Sequence, residues 1–85
     1  MSYEFVKFHQ ELLYEIYNRC WLDWFKRKEV WDLILEHGED RGFLTRAVNR
    51  GIFDYERGKL SHLPGKYRMQ RNVRDELLKI IGKRI

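Results

Sequence analysis

Apolar residues recur at Phe5, Phe8, Leu12, Leu13, Ile16, Tyr17 and Cys20, three and four apart with no Gly or Pro between them. That spacing predicts one helix from Ser2 to about Trp21. Ser2 is placed to cap its start, and Glu4 in the first turn suits the positive end of the helix dipole. The other face carries Lys7, Glu11, Glu15 and Arg19. Glu15 and Arg19 stand four apart as a favourable pair, so this face reads as solvated. A second helix is expected from about Arg27 to Glu36, with Val30, Trp31, Ile34 and Leu35 on one face and Gly38 as a left-handed C-terminal cap. A third begins near Asp40 as N-cap, turns Phe43, Leu44, Ala47 and Val48 inward, and stops at Gly51. The turn joining the second and third helices, His37-Gly38-Glu39-Asp40, is short and acidic.

After Gly51 the period changes. Ile52-Phe53-Asp54-Tyr55 is rich in strand formers, Glu56-Arg57-Gly58-Lys59 reads as a turn, and Lys66-Tyr67-Arg68-Met69 alternates polar with apolar. Pro64-Gly65 favours a further tight turn, so a short, irregular β-hairpin is expected. Asn72 is then read as the cap of a last helix reaching Ile85, with Val73, Leu77, Ile80 and Ile81 apolar. Between the first two helices, Trp21-Leu22-Asp23-Trp24-Phe25 is too aromatic for an ordinary exposed loop and predicts a packed corner. The basic triplet Lys26-Arg27-Lys28 follows it at once.

Length and composition narrow this to one core. The chain has 85 residues, 44 % of them apolar and 15 % aromatic, which suffices for a single folded domain over residues 1–85 and excludes a disordered chain. Cys20 is the lone cysteine, so an internal disulfide framework is excluded and a reducing, cytoplasmic setting is expected. The N-terminus carries no basic segment followed by an apolar run, and no stretch approaches the roughly 18 apolar residues of a membrane span. A soluble, unprocessed chain without membrane contact is therefore expected. Net charge is +4, unevenly spread. Residues 1–40 hold five Lys/Arg against nine Asp/Glu, whereas residues 41–71 hold eight against two.

The stretch Leu44-Thr45-Arg46-Ala47-Val48-Asn49-Arg50-Gly51-Ile52-Phe53-Asp54-Tyr55 ends a helix in an Arg-Gly-apolar step and enters a strand, and Gly65-Lys66-Tyr67-Arg68-Met69 supplies a return strand. With the order helix, helix, short turn, helix, hairpin, helix, this resembles a winged helix-turn-helix domain over roughly residues 27 to 71. The resemblance implies a mainly α, single-core domain with a short β-hairpin (α+β), and duplex DNA as the partner. It places Arg41, Thr45, Arg46, Asn49 and Arg50 outward on the third helix, where Arg suits guanine edges and Asn suits adenine. The wing would offer Arg57, Lys59, His62, Lys66 and Arg68 to phosphates, with Arg71 and Arg74 extending the surface. The acidic turn and the short third helix predict weak sequence readout.

Several alternatives stand beside this. The basic residues are, on the plain reading, ordinary solvating charges. A second function class is a protein-interaction module that inhibits or adapts a larger host enzyme or nucleoprotein complex, as many small phage and mobile-element proteins of similar composition do; Trp24 and Phe25 would then contact the partner. The wide apolar stripe of the first helix raises a homodimer through that helix. Trp21, Trp24, Phe25, Trp31 and Tyr67 suit stacking on unpaired bases, but aromatics at helical spacing are more often core, with Trp24 the expected exception. His9, Cys20, His37 and His62 lack zinc-site spacing, so no metal is expected. No nucleophile elbow, phosphate-binding Gly-rich loop or His-Glu metal motif is present. Neither catalysis nor a cofactor is expected.

Overall fold

A computed structural model describes residues 3–60 and 63–82 of the chain. Ser2, His62 and Ile85, given roles above, lie outside the described residues. The elements run α1 (Tyr3–Phe8), α2 (Gln10–Cys20), α3 (Arg27–Glu36), α4 (Phe43–Asn49), β1 (Phe53–Glu56), β2 (Lys66–Met69) and α5 (Arg71–Gly82). The fold is mostly helical with one two-stranded antiparallel hairpin, a small α+β domain.

The first helix expected from the sequence is two. His9 leaves helical geometry (φ −105°, ψ 24°), although its N–H still donates to the Phe5 carbonyl (3.0 Å) and its carbonyl still accepts from Leu13 (2.9 Å). The Gln10 side-chain amide donates to the Lys7 carbonyl at 2.9 Å. The interruption is thus a one-residue bend, which leaves the apolar spacing on either side in phase and so escapes a test of periodicity. Phe5, Val6, Leu12, Leu13 and Ile16 are buried, and α5 lies against both α1 and α2. The apolar stripe raised above as a dimer surface is in large part consumed inside the chain; Phe8, 82 % exposed, stays outside.

Helix α3 has the bounds its sequence predicts, but its buried face is Val30, Leu33 and Ile34. Leu35 is exposed and Trp31 half-buried. Both α3 and α4 end in the same device. Gly38 and Gly51 take left-handed φ values of 73° and 75°. Their N–H groups donate to Leu35 and Val48, while the next residues, Glu39 and Ile52, reach back to Ile34 and Ala47. This paired closure satisfies carbonyls that a helix end leaves free, and the conformation favours glycine. The connection from α3 to α4 is longer than expected, because Asp40 does not cap the helix directly. Its carboxylate accepts from the Gly42 N–H (2.9 Å) and forms a turn that leads into Phe43. The last helix also starts earlier than expected, at Arg71, with the Gln70 carbonyl accepting from Val73 and Arg74 in place of an Asn72 cap.

In the hairpin Phe53 faces Met69, Asp54 faces Arg68, Tyr55 faces Tyr67 and Glu56 faces Lys66. Phe53, Tyr67 and Met69 enter the core, while Asp54 and Arg68 pair across the other face at 3.2 Å. The sequence just before α3 joins this sheet. Phe25 donates to the Tyr67 carbonyl and accepts from its N–H, both at 2.8 Å, forming an antiparallel bridge to β2. Among the described residues, no helix is long and apolar enough to cross a membrane.

Candidate nucleic-acid interface

The bridge at Phe25 brings the start of α3 against strand β2, near the turn end of the hairpin. Lys26 caps α3, and its N–H donates to the Glu29 carboxylate at 2.6 Å, so the first acidic side chain of the helix is already engaged. Arg27 and Lys28 occupy the next two positions. Three cations at the positive end of a helix dipole are electrostatically unfavourable, each by a few tenths of a kcal/mol to about 1 kcal/mol. Local stability therefore does not account for the triplet.

Two adjoining grooves open here. One, about 520 Å³ in volume and mainly apolar in its floor, is lined by Lys26, Arg27, Lys28, Trp31, Arg41 and Pro64. The other, about 220 Å³, is lined by Lys26, Arg57, Lys59, Leu63, Pro64 and Lys66, together with Gly58 and the single carboxylate Glu56. They share Lys26 and Pro64, so the surface is continuous. Gly58 is fixed by crowding, since a Cβ there would run into the Leu63 carbonyl. Seven cations converge on this face: Lys26, Arg27, Lys28, Arg41, Arg57, Lys59 and Lys66. None forms an ion pair among the described residues. Arg27 makes one long bond, to the Tyr67 hydroxyl at 3.4 Å, and its buried Nε has no partner there.

Four other cations are ion-paired. Arg46, placed by the sequence on a reading surface, bonds Glu39 at 3.0 Å and Asp40 at 3.2 Å. The Gly42 N–H and then the Arg46 guanidinium hold the Asp40 carboxyl below its usual range. Arg68 pairs with Asp54 and lies 4.4 Å over the Trp24 ring. Arg19 pairs with Asp32 and Arg74 with Asp75. Arg50 sits 5.9 Å over the Phe5 ring, and Arg71 lines a separate cleft with Leu22, Arg68 and Asn72. Thr45 and Asn49 are exposed on α4. The structure thus gathers Arg41, Arg57, Lys59 and Lys66 of the expected set and leaves Arg46, Arg50, Arg68 and Arg71 elsewhere. It adds Lys26, Arg27 and Lys28, whose sequence signal was a cationic triplet at a helix start, and sets beside them Trp31, one of the aromatics read above as suited to stacking.

The aromatic corner divides. Phe25, paired with Trp24 as a contact residue in the sequence, is 2 % exposed and packs on Phe53 and Tyr67 at 5.6 and 5.9 Å. It belongs to the core and is not available to a partner. Trp24 keeps 37 % exposure, but Trp21 is the more open at 66 %, on a positive φ of 56° that is unfavourable for a bulky side chain. Cys20 is half-buried against the core, and burial pushes its thiol up to about 11, which makes it a poor nucleophile. The His9 ring packs tilted on Phe5 at 4.5 Å and edge-to-face on Phe43 at 5.1 Å, and His37 bonds Glu15 at 2.7 Å.

Comparison with protein-family models, curated proteins and solved structures gives no match.

Proposed function

We propose that this domain is a small regulatory or accessory protein that binds duplex DNA on the face formed by the start of α3 and the hairpin. The observation that carries the reading is the contrast in pairing. Seven cations without ion pairs among the described residues surround two joined grooves, while four arginines elsewhere are ion-paired. Unpaired Lys and Arg along a continuous surface suit a polyanion, because each phosphate they neutralise releases counterions. The element order and the extra bridge at Phe25 fit a winged-helix-like arrangement in which the hairpin holds the DNA backbone. Arg41, Thr45 and Asn49 remain for contact near α4, so the binding is mainly to phosphate and weakly selective for sequence.

The test is binding to a labelled random-sequence duplex through a salt series. Affinity is expected to fall steeply with salt. The Lys26→Gln/Arg57→Gln/Lys66→Gln variant is expected to lower the slope of log affinity against log salt by about 2.7, three phosphate contacts at about 0.9 each. Absence of binding by the parent at low salt would overturn the reading and direct attention to a protein partner at Trp21 and Trp24.

A further inference from the structure

The larger groove has a property that duplex binding does not use. Its floor is mainly apolar, with Trp31 and Pro64 beside Lys26, Arg27, Lys28 and Arg41. A paired helix presents phosphates to such a surface while its bases stay stacked inside, so the cations would be engaged and the apolar floor left empty. An unpaired nucleotide offers both halves at once: a flat base for an aromatic ring and a phosphate for the surrounding cations. The volume, about 520 Å³, falls within the roughly 300–1,000 Å³ of small-ligand sites. The smaller groove, whose cations suit a backbone, leads directly into it through Lys26 and Pro64.

We infer that this groove takes an unpaired nucleotide continuing from the bound duplex, with its base against Trp31 and its phosphate among Arg27, Lys28 and Arg41. The protein then prefers a duplex with a single-stranded extension to a blunt one. Arg27 is suited to such a role, since its guanidinium makes one long hydrogen bond among the described residues, to the Tyr67 hydroxyl, and its terminal nitrogens keep donors to spare. The inference rests on the duplex-binding reading above and adds the end structure that is preferred.

The experiment compares the full chain on a blunt duplex and on the same duplex with a short overhang at equal salt. The parent is expected to bind the extended duplex at least about 5-fold more tightly, the lower end of what stacking one base supplies. Trp31→Leu is expected to weaken binding of the extended duplex more than that of the blunt one, so that the ratio of the two affinities falls to about one. Because Trp31 also packs against the core, a second measurement avoids the variant: an overhang carrying 5-iodouracil, irradiated on the parent protein, should cross-link to Trp31. Equal affinity for the two duplexes overturns the inference and leaves duplex binding intact. Failure to bind either overturns both. A preference that survives Trp31→Leu, or a cross-link confined to Trp21 or Trp24, also overturns the placement in this groove.

Discussion

The outward side of α4 and the face at the start of α3 are both rich in cations, yet they differ in what those cations touch. On α4, Arg46 is held by Glu39 and Asp40 from the preceding turn, and Arg50 lies over Phe5. At the start of α3 and along the hairpin, seven cations form no ion pair among the described residues, three of them at the helix end that electrostatics disfavours. The first arrangement serves the fold. The second stores repulsion that the fold does not relieve, which a polyanion would.

Phe25→Ala tests this comparison most severely. Removing a fully packed ring at the residue whose backbone bridges to Tyr67 is expected to cost about 3–5 kcal/mol, measured as a fall in the midpoint of urea or thermal unfolding. A loss under about 1 kcal/mol would mean that the basic face is not mounted on the core through this contact. A smaller effect is expected where a paired cation is set free. Glu39→Gln/Asp40→Asn releases Arg46 and should lower the unfolding midpoint only slightly, since solvent screens the pairs that are lost. It should tighten DNA binding a few-fold, with a salt slope steeper by about 0.9. An unchanged slope would place α4 outside the interface.

The smallest effect concerns pH. Burial, opposed by Glu39 and aided by Arg46, lowers the pKa of His9 below its ordinary 6.5. The unfolded chain then takes up a proton that the folded one refuses. Stability from this residue is complete above about 6.5 and declines as pH falls towards the folded value. His9→Phe should flatten the decline in melting temperature between about pH 7 and about pH 5. An unaltered decline would assign it to other groups.

Local chemistry was legible in the sequence, and tertiary pairing was not. The bounds of α3 and β2, and both glycine caps, follow from spacing and from what glycine permits. The choice of Leu33 over Leu35 for the core does not, because they lie on opposite flanks of the Val30–Ile34 line and the packing of α2 decides between them. The bend at His9 was likewise invisible, since it preserves the apolar phase. The cations of the interface could all be read off the chain, but which are spent depends on geometry: Arg46 meets Asp40 because the turn at Gly42 folds one over the other. Trp21 and Phe25 look alike in a string of aromatics, and only the bridge to β2 sends Phe25 inward.

That bridge also sets a distance. Through the two 2.8 Å bonds between Phe25 and Tyr67, the residue before the Lys26 triplet is fastened to the strand that carries Lys66. The two groups of charge therefore cannot slide apart or close up independently. On the proposed reading, a polyanion bound here would have to offer negative groups at an interval already fixed by the protein, so the surface would act as a gauge of spacing.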